Sequence, residues 1–560
     1  MYMRNFDWRP IYTEPIRKAH IARLRKELRI SRVASEILIR RGFRNVSDAR
    51  KYLFSEYRHM YDPYLFPDMA KAVARLRQAQ EKNEKILVHG DYDCDGITAT
   101  ALVIYLLQDM GIHGEPFIPT RDLGYGLSKT GVQAAIDIGA TLLITCDCGS
   151  SERLAHSMAQ KAGIDVIVLD HHTFQKRPKV FAFLNPMDPA YPFSELCGAG
   201  VVLKLMQAMS KQLPGIYPEN YLELVAMATI ADASPLVDEN RIIVKEGLKR
   251  MNSTSNTGLN RLLKVSSVLH RKMTTEIIGF IIAPKINAPG RIDDPRKSLN
   301  LLLAQDPEEA DRLAHELARI NKARMELNNR IRDEAIQMVE ENYQNDCFLV
   351  LSNDSWHPGV IGIVASTMVE LYHKPCAIIS GGYGSVRTVP EFGLIEPLAE
   401  CEDLFVRWGG HPMAAGLAIR KRSISLYRDR INQIAARTLS PNPIPYMRYD
   451  SKLALKNMTI DLVSDLEKLE PFGNGNPPPR FVVEDVNVAR KKVTKDGQHL
   501  QVSLRDRKSL VSAIGFWMAH ADVVIRDSAQ KFDAMFSLQR GKYGNVQMEI
   551  HDFREVQLEW

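Results

Sequence analysis

Ile86-Leu-Val-His-Gly-Asp-Tyr-Asp-Cys-Asp-Gly96 decides how the N-terminal half of this chain folds. Its first three residues, apolar and mostly branched, make a short buried strand. The strand stops at His89-Gly90, and the next apolar run, Ile97 to Met110, has the length of a helix. Between the two lie Asp91, Asp93 and Asp95, with His89 at the strand end. Like charges this close raise one another's pKa, and a divalent cation is the natural relief. Aspartate and histidine suit hard to borderline ions such as Mn2+ or Mg2+. Read alone, the stretch could also be a solvated acidic turn or a helix N-cap.

The same pattern recurs downstream. Thr141-Leu-Leu-Ile-Thr145 and Val166-Ile-Val-Leu169 are short β-branched runs, separated by stretches of helical length. Strands alternating with helices predict βαβ units and a buried parallel sheet, an α/β class. Ligands of such sheets gather at the carboxyl edge. Asp147 follows one strand, where it reads equally as a cap. Asp170-His171-His172 follows another, and adjacent histidines point different ways, so one can ligate a metal while the other faces a phosphate. Asp232 ends the apolar Ala228-Thr-Ile-Ala231 segment, where a negative charge is unfavourable against the helix dipole. Together these side chains offer enough oxygen and nitrogen for two cations about 3.5–4 Å apart, which can activate water and stabilise an in-line phosphoryl displacement. HExxH, GxSxG and Walker motifs are absent. Metal-assisted phosphoester hydrolysis is the chemistry these residues favour.

Around this centre the chain divides into five expected segments. Residues 1–60 are helical and basic, with Arg17, Lys18, Arg23, Arg25, Lys26, Arg29 and Arg32 forming a solvated face or a phosphate-contact surface. Residues 61–300 hold the catalytic α/β domain. Residues 301–345 form a connector helix, its periodicity running from Asp306 to Tyr343. Residues 346–440 form a second α/β module with Gly-rich turns at Gly381-Gly382 and Gly409-Gly410. After the linker Leu439–Pro445, residues 446–560 alternate as strands, His499–Leu504 among them, and fit a small Greek-key β barrel. In that barrel Arg490-Lys-Lys492, Lys495 and Phe516-Trp517 suit a single-strand groove with stacking rings, or equally a basic turn and core aromatics. The net charge of +6 permits a nucleic-acid partner without demanding one. Seven cysteines, an odd number without a CxxC pair, speak against a disulfide framework or structural zinc. No signal segment and no run of about 18 apolar residues is present, so a cytoplasmic protein without membrane association is expected.

The Asp170-His171-His172 triplet resembles the signature of the DHH phosphoesterase family. Other stretches resemble its RecJ branch: Leu38–Gly42 with Asp48–Leu53, Tyr61–Met69, Asn287-Ala-Pro-Gly-Arg291, Asn353–Gly359, Gly409–Gly416, and Pro471–Pro477. The resemblance implies a DHH parallel-sheet catalytic domain joined by a long helix to an α/β DHHA1 domain, plus a C-terminal OB-like barrel. It implies a single-strand-specific 5′→3′ DNA exonuclease of recombination and repair, releasing mononucleotides with two Mn2+ or Mg2+ ions. His89 and Asp93 would hold one metal. Asp95, His171 and Asp232 would hold the other, and Asp147 would bridge them. His172 would contact the scissile phosphate, with Asp91 in the same acidic cluster and Arg121 as the arginine of the second motif. Arg291, Ser385, Arg387 and His411 match positions that contact the DNA backbone or 5′-phosphate. Single-stranded DNA is the implied partner, with a single-strand-binding protein or a helicase as protein partners of a monomer. The chain departs from the family pattern at Asp147-Cys148-Gly149, where Asp-Asn-Gly is usual. It departs again at Thr120-Arg121, with only Asp122 and Leu123 before Gly124-Tyr125-Gly126. It stops just after the OB-like region, so a further C-terminal domain is not expected. The alternatives are another DHH phosphodiesterase acting on dinucleotides or short oligonucleotides, and a non-catalytic nucleic-acid-binding relative.

Overall fold

The computed structural model describes residues 6–12, 16–124, 126–523, 525, 530–541 and 544–556. They form two compact units. One comprises residues 56–443 with 473–475, and the other the described residues of 1–55, 444–472 and 476–560.

The first unit is built on a five-stranded parallel sheet, in the order Gly114–Phe117, Ile86–Gly90, Leu142–Cys146, Asp165–Leu169, Ala182–Leu184. Ile86–Gly90 and Leu142–Cys146 are buried along their whole length, which is why they read as unbroken apolar runs. Alternate side chains enter different cores. Ile86, Val88, Leu142 and Ile144 pack with the helices Cys94–Asp109, Gly198–Ser210 and Leu222–Ala231. Leu87, Leu143, Val166 and Val168 pack on the opposite face against Val132, Ala135, Ala155 and Ala159. The outer strands Gly114–Phe117 and Ala182–Leu184 are too short to have been legible as strands.

The expected connector is a 32-residue helix, Pro307–Met338, continued by a π-turn at Val339–Tyr343. Asp306 caps it by accepting the Glu309 N–H at 2.8 Å, Pro307 opens it, and Glu308 and Glu309 sit at the positive end of its dipole. Its first half buries Leu313, Ala314 and Leu317 in the catalytic core, and its second half buries Ile331 and Ala335 in the core of the next module. One rigid helix thus spans two cores.

That module carries a mixed sheet in the order Phe405–His411, Ala414–Ile419, Tyr383–Arg387, Cys376–Ser380, Leu349–Ser352, with only the last pair parallel. Gly381 and Gly382 turn the chain with φ of 53° and 81°, as expected. Gly409-Gly410 does not: the pair lies inside the strand Phe405–His411, and Pro412-Met413 make the turn. Gly410 is there for close approach, since a Cβ on it would stand 2.4 Å from the Ala414 carbonyl oxygen.

In the second unit, strands Phe481–Val493, Leu500–Arg505, Leu510–Gly515, Val546–Glu555 and Lys531–Arg540 close into a barrel through the pairing of the first with the last. The helices Lys18–Leu28, Arg32–Arg40 and Val46–Phe54 share its core, where Leu24, Ile37, Leu38 and Leu53 join Leu504, Phe532 and Phe536. The strand Asp7–Pro10 pairs in parallel with Tyr446–Tyr449. Three short helices bury too little apolar surface to stand alone, so this segment packs on the barrel although more than four hundred residues separate them.

Candidate metal centre

Four strand ends fall in one row. Gly90 pairs with Cys146, Cys146 with Leu169, and Leu169 with Leu184. The next residues, Asp91, Asp147, Asp170 and Asn185, therefore stand side by side at the carboxyl edge of the sheet. The ladder continues into this row: the Asp147 N–H donates to Leu169 O at 2.8 Å, and the Asp170 N–H to Leu184 O at 3.1 Å.

Helices bring in the remaining acids. Asp93 caps Cys94–Asp109 by accepting the N–H groups of Asp95 and Gly96. Asp95, on the first turn and 1% exposed, receives the N–H of Gly198 at 2.6 Å and of Ala199 at 2.8 Å from the start of the facing helix. A Cβ on Gly198 would lie 2.8 Å from the Asp147 Cβ, so only glycine permits this approach. Asp232 sits at the C-cap of Leu222–Ala231 and accepts from Ser234 Oγ at 2.7 Å.

Among the described residues, three groups of potential ligand atoms result, each within 4.8 Å: Asp91, Asp93 and Asp147; Asp147, His171 and His172; Asp95, His171 and Asp232. Asp147 and His171 each belong to two groups, and His171 Nε2 lies 3.1 Å from Asp147 Oδ1. Asp147 holds this position with φ at 61°, a left-handed conformation costly for a non-glycine residue and found where function fixes it. His89 is not in any of the three groups. Its buried ring lies 3.6 Å from Cys148 Sγ through Nδ1, stacks on Phe117 at 5.2 Å, and faces Gly131, where a Cβ would be 2.6 Å from Nε2. Burial lowers its pKa to about 4, so it is neutral.

The carboxylates are under electrostatic load. Burial first, then the charge of Asp93, pushes Asp91 up to about 8. Burial and Asp232 push Asp95 up to about 6. Burial and the charges of Asp95, Asp93 and Asp91 hold Asp147 well above the carboxylate range, and burial raises Asp232. Asp91 Oδ1 is buried with no hydrogen-bond partner among the described residues, a costly state for a carboxylate. An unpartnered buried oxygen, crowded acids and imidazole nitrogens are the donor set a divalent cation takes.

Asp170 behaves differently. It accepts from Ser150 N at 2.9 Å, from His171 N at 2.8 Å, and lies 2.8 Å from His172 Nδ1. Burial works against its charge but is outweighed by the His172 hydrogen bond and charge, so its pKa falls well below the usual range. His172 responds in kind: burial works to lower its pKa, yet the bond to Asp170 raises it to about 9. Asn185 Nδ2 braces the pair by donating to His172 O at 2.9 Å and Ser150 Oγ at 3.0 Å. The sequence reading gives Asp170 no role beyond its place in the triplet and passes over Asn185. Asp170 follows its strand as Asp147 does, and that strand-end position was the available signal.

Cations complete the surroundings. The Arg121 guanidinium lies 4.5 Å over the Tyr92 ring, and its Nε donates to Gly290 O at 3.1 Å. Arg291 donates to Gly359 O at 3.3 Å; burial, then the charges of Arg121 and Arg324, lowers its pKa to about 10. Like charges gathered this way suit an anion. In the second module Arg387 Nη1 donates to Ser385 Oγ at 3.1 Å, and both approach Gly362 on the helix Ile361–Tyr372. His411 ends the strand Phe405–His411, exposed, and its side chain has no hydrogen bond or ion pair among the described residues. Tyr125, between Gly124 and Gly126, lies outside the described residues. No described helix is long and apolar enough to cross a membrane.

A model of the DHH family, N-terminal domain, matches residues 85–229, and a model of the RecJ OB domain matches residues 449–552. The chain is 35% identical over 506 residues to the single-stranded-DNA-specific exonuclease RecJ of Bacillus subtilis, covering 88% of this chain and 64% of that protein. It is 32% identical to the protein of the same name from Dickeya dadantii, over 79% of this chain and 81% of the relative. The crystal structure of Thermus thermophilus RecJ in complex with Mn2+ superposes with a TM-score of 0.83 at 29% identity, covering 98% of this chain and 80% of that one. The chain thus spans somewhat less than two thirds of the Bacillus relative's length.

Proposed function

The chain belongs to the RecJ family of single-stranded-DNA-specific exonucleases, and from that premise we propose that it is a metal-dependent 5′→3′ exonuclease degrading single-stranded DNA to mononucleotides. The observation that carries this reading is the overlap of three ligand groups through Asp147 and His171 at one sheet edge. Asp91, Asp93 and Asp147 would hold one Mn2+ or Mg2+, and Asp95, His171 and Asp232 the other, with Asp147 reaching toward both. Such ions, when bound, supply an activated water and neutralise charge developing on a phosphodiester.

The chain's own residues do the rest. Asp170 keeps a proton on His172 Nδ1, so the ring is an imidazolium that can donate to a phosphate oxygen. Arg121 and Arg291 bring fixed positive charge for the backbone phosphates, and the guanidinium fork of Arg387 with Ser385 Oγ suits a terminal 5′-phosphate. Burial of Asp91, Asp95 and Asp147 excludes bulk water and strengthens every charge interaction there. His89 is neutral and buried, with Nε2 lacking a hydrogen-bond partner among the described residues. A purely binding role would not require acids kept at the expense of such mutual repulsion.

The test is release of acid-soluble nucleotide from 5′-phosphorylated single strands and from blunt duplex, with Mn2+ or with chelator. Single-strand turnover that needs the ion supports the reading. Turnover that survives exhaustive chelation, or none on any single strand, overturns it.

A further inference from the structure

Asp232 reaches the metal centre from a helix end under strain. The chain leaves the helix Leu222–Ala231 through Ala233, whose φ of 57° is the left-handed conformation that glycine usually supplies at this position. The Ala233 N–H donates to Ile230 O at 3.1 Å and the Ser234 N–H to Thr229 O at 3.2 Å, the pair of bonds that closes a helix in this way. Ser234, buried, then donates from Oγ to Asp232 Oδ2 at 2.7 Å. The orientation of the carboxylate therefore depends on where Ser234 is held, and Ser234 follows an alanine in a costly backbone conformation.

Such a conformation persists where its surroundings over-determine it. Here they come from 241 residues further along the chain. Asn474 Nδ2 donates to Ala233 O at 2.7 Å, and Asn474 O accepts the N–H of the buried Leu236 at 2.7 Å. One residue thus grips the loop on both sides of Ser234-Pro235. The glycines beside it permit the close approach. A Cβ on Gly473 would stand 2.7 Å from Leu236 Cδ1, and one on Gly475, where φ is 69°, would stand 3.0 Å from Pro235 Cβ. Asn240 adds a third hold, its Nδ2 donating to Pro235 O at 3.1 Å. All these residues belong to the first unit, Gly473-Asn474-Gly475 included.

We propose that Asn474 is a positioning residue of the metal centre: it clasps the Ala233–Leu236 loop so that Ser234 presents Asp232 to the cation held with Asp95 and His171. This rests on the two-ion reading above and deepens it, because the affinity for one ion then depends on a residue that touches no ligand atom. Groups that orient a ligand from behind set metal affinity by about 10–100-fold.

The experiment titrates the full chain with Mn2+ alone and reads the unbound ion by its electron paramagnetic resonance signal. Wild type should take up two ions. Asn474→Ala should weaken one about tenfold and leave the other unchanged. Adding Ala233→Gly, which relaxes the left-handed residue, should recover most of the loss. On single strands, kcat of Asn474→Ala should fall at limiting Mn2+ and return at saturating Mn2+, with KM for the strand unchanged; a strand contact would move KM instead. Gly475→Ala, strained at its positive φ and crowding Pro235, should weaken the same ion, and it carries the test if thermal melts show that Asn474→Ala does not fold. Wild-type binding of both ions, equal weakening of both, no recovery with Ala233→Gly, or a raised KM at saturating Mn2+ would overturn the clasp and leave the two-ion reading standing. A wild-type chain that takes up fewer than two ions would overturn that reading and the clasp with it.

Discussion

Asp170 Oδ1 and His172 Nδ1 lie 2.8 Å apart at the edge of the parallel sheet, and each holds the other in its charged form. The carboxylate is fixed by the N–H groups of Ser150 and His171, so the imidazole has one orientation. Asp170→Asn keeps the shape but removes the charge. A lost charge-assisted hydrogen bond costs about 1.5–3 kcal/mol, so kcat/KM on single strands should fall about 10–100-fold with the thermal melt little changed. Wild-type kcat/KM in this variant would show that His172 needs no orienting partner.

Asp147 should matter most among the acids, because two ligand groups share it. Ions that bind only the folded state stabilise it, by about 2.7 kcal/mol at a hundredfold excess over Kd. Mn2+ should therefore raise the wild-type Tm, and Asp147→Asn should lose most of that rise along with activity. Without metal the variant should melt close to wild type, because burial and the neighbouring acids already hold the Asp147 carboxyl toward its neutral form. An undiminished Mn2+-dependent rise would remove Asp147 from the centre.

Arg387→Ala tests the second module. Its guanidinium is partly buried beside Ser385 and makes no ion pair among the described residues. Activity on 5′-phosphorylated strands should drop about 10–100-fold, the worth of one charge-assisted contact, and on 5′-hydroxyl strands much less. Equal losses on both would make Arg387 a general backbone contact.

His551 sets an acid limit on the barrel. Burial, then the charge of Arg480, lowers its pKa from 6.5 to about 4, and its Nε2 lies 3.1 Å from Ser537 Oγ. The unfolded chain takes up this proton near pH 6.5 and the folded chain only near 4. Stability is therefore lost as pH falls between those values, by roughly 3 kcal/mol. His551→Gln should flatten that part of the urea-unfolding profile, and an unchanged slope between pH 6.5 and 4 would contradict it.

The sheet and its acid-bearing ends were legible because buried parallel strands read as apolar runs and each is followed by its chemistry: Asp91, Asp147 and Asp170 all sit one step past a strand. The long helix was legible from its unbroken periodicity, and the barrel from alternation. What escaped depended on register or on distant pairing. Asn185 follows a three-residue strand, too short to signal itself. The N-terminal helices join a core whose other half is more than four hundred residues away. Gly409-Gly410 has the composition of a turn, but the constraint on Gly410 is the neighbouring strand's carbonyl, which composition does not reveal. His89 shares its motif with three aspartates, yet the strand's pleat turns its ring to the face lined by Gly131 and Phe117.

Polarity on an end-labelled strand tests the central claim most directly. A single-stranded oligonucleotide labelled at either the 5′ or the 3′ terminus is digested with Mn2+ and sampled over time, with a chelator control. The account predicts that 5′ label appears first as mononucleotide, that 3′ label is retained in a shrinking ladder, and that both reactions stop on chelation. Early release of 3′-labelled mononucleotide, or an unchanged time course without metal, would contradict it.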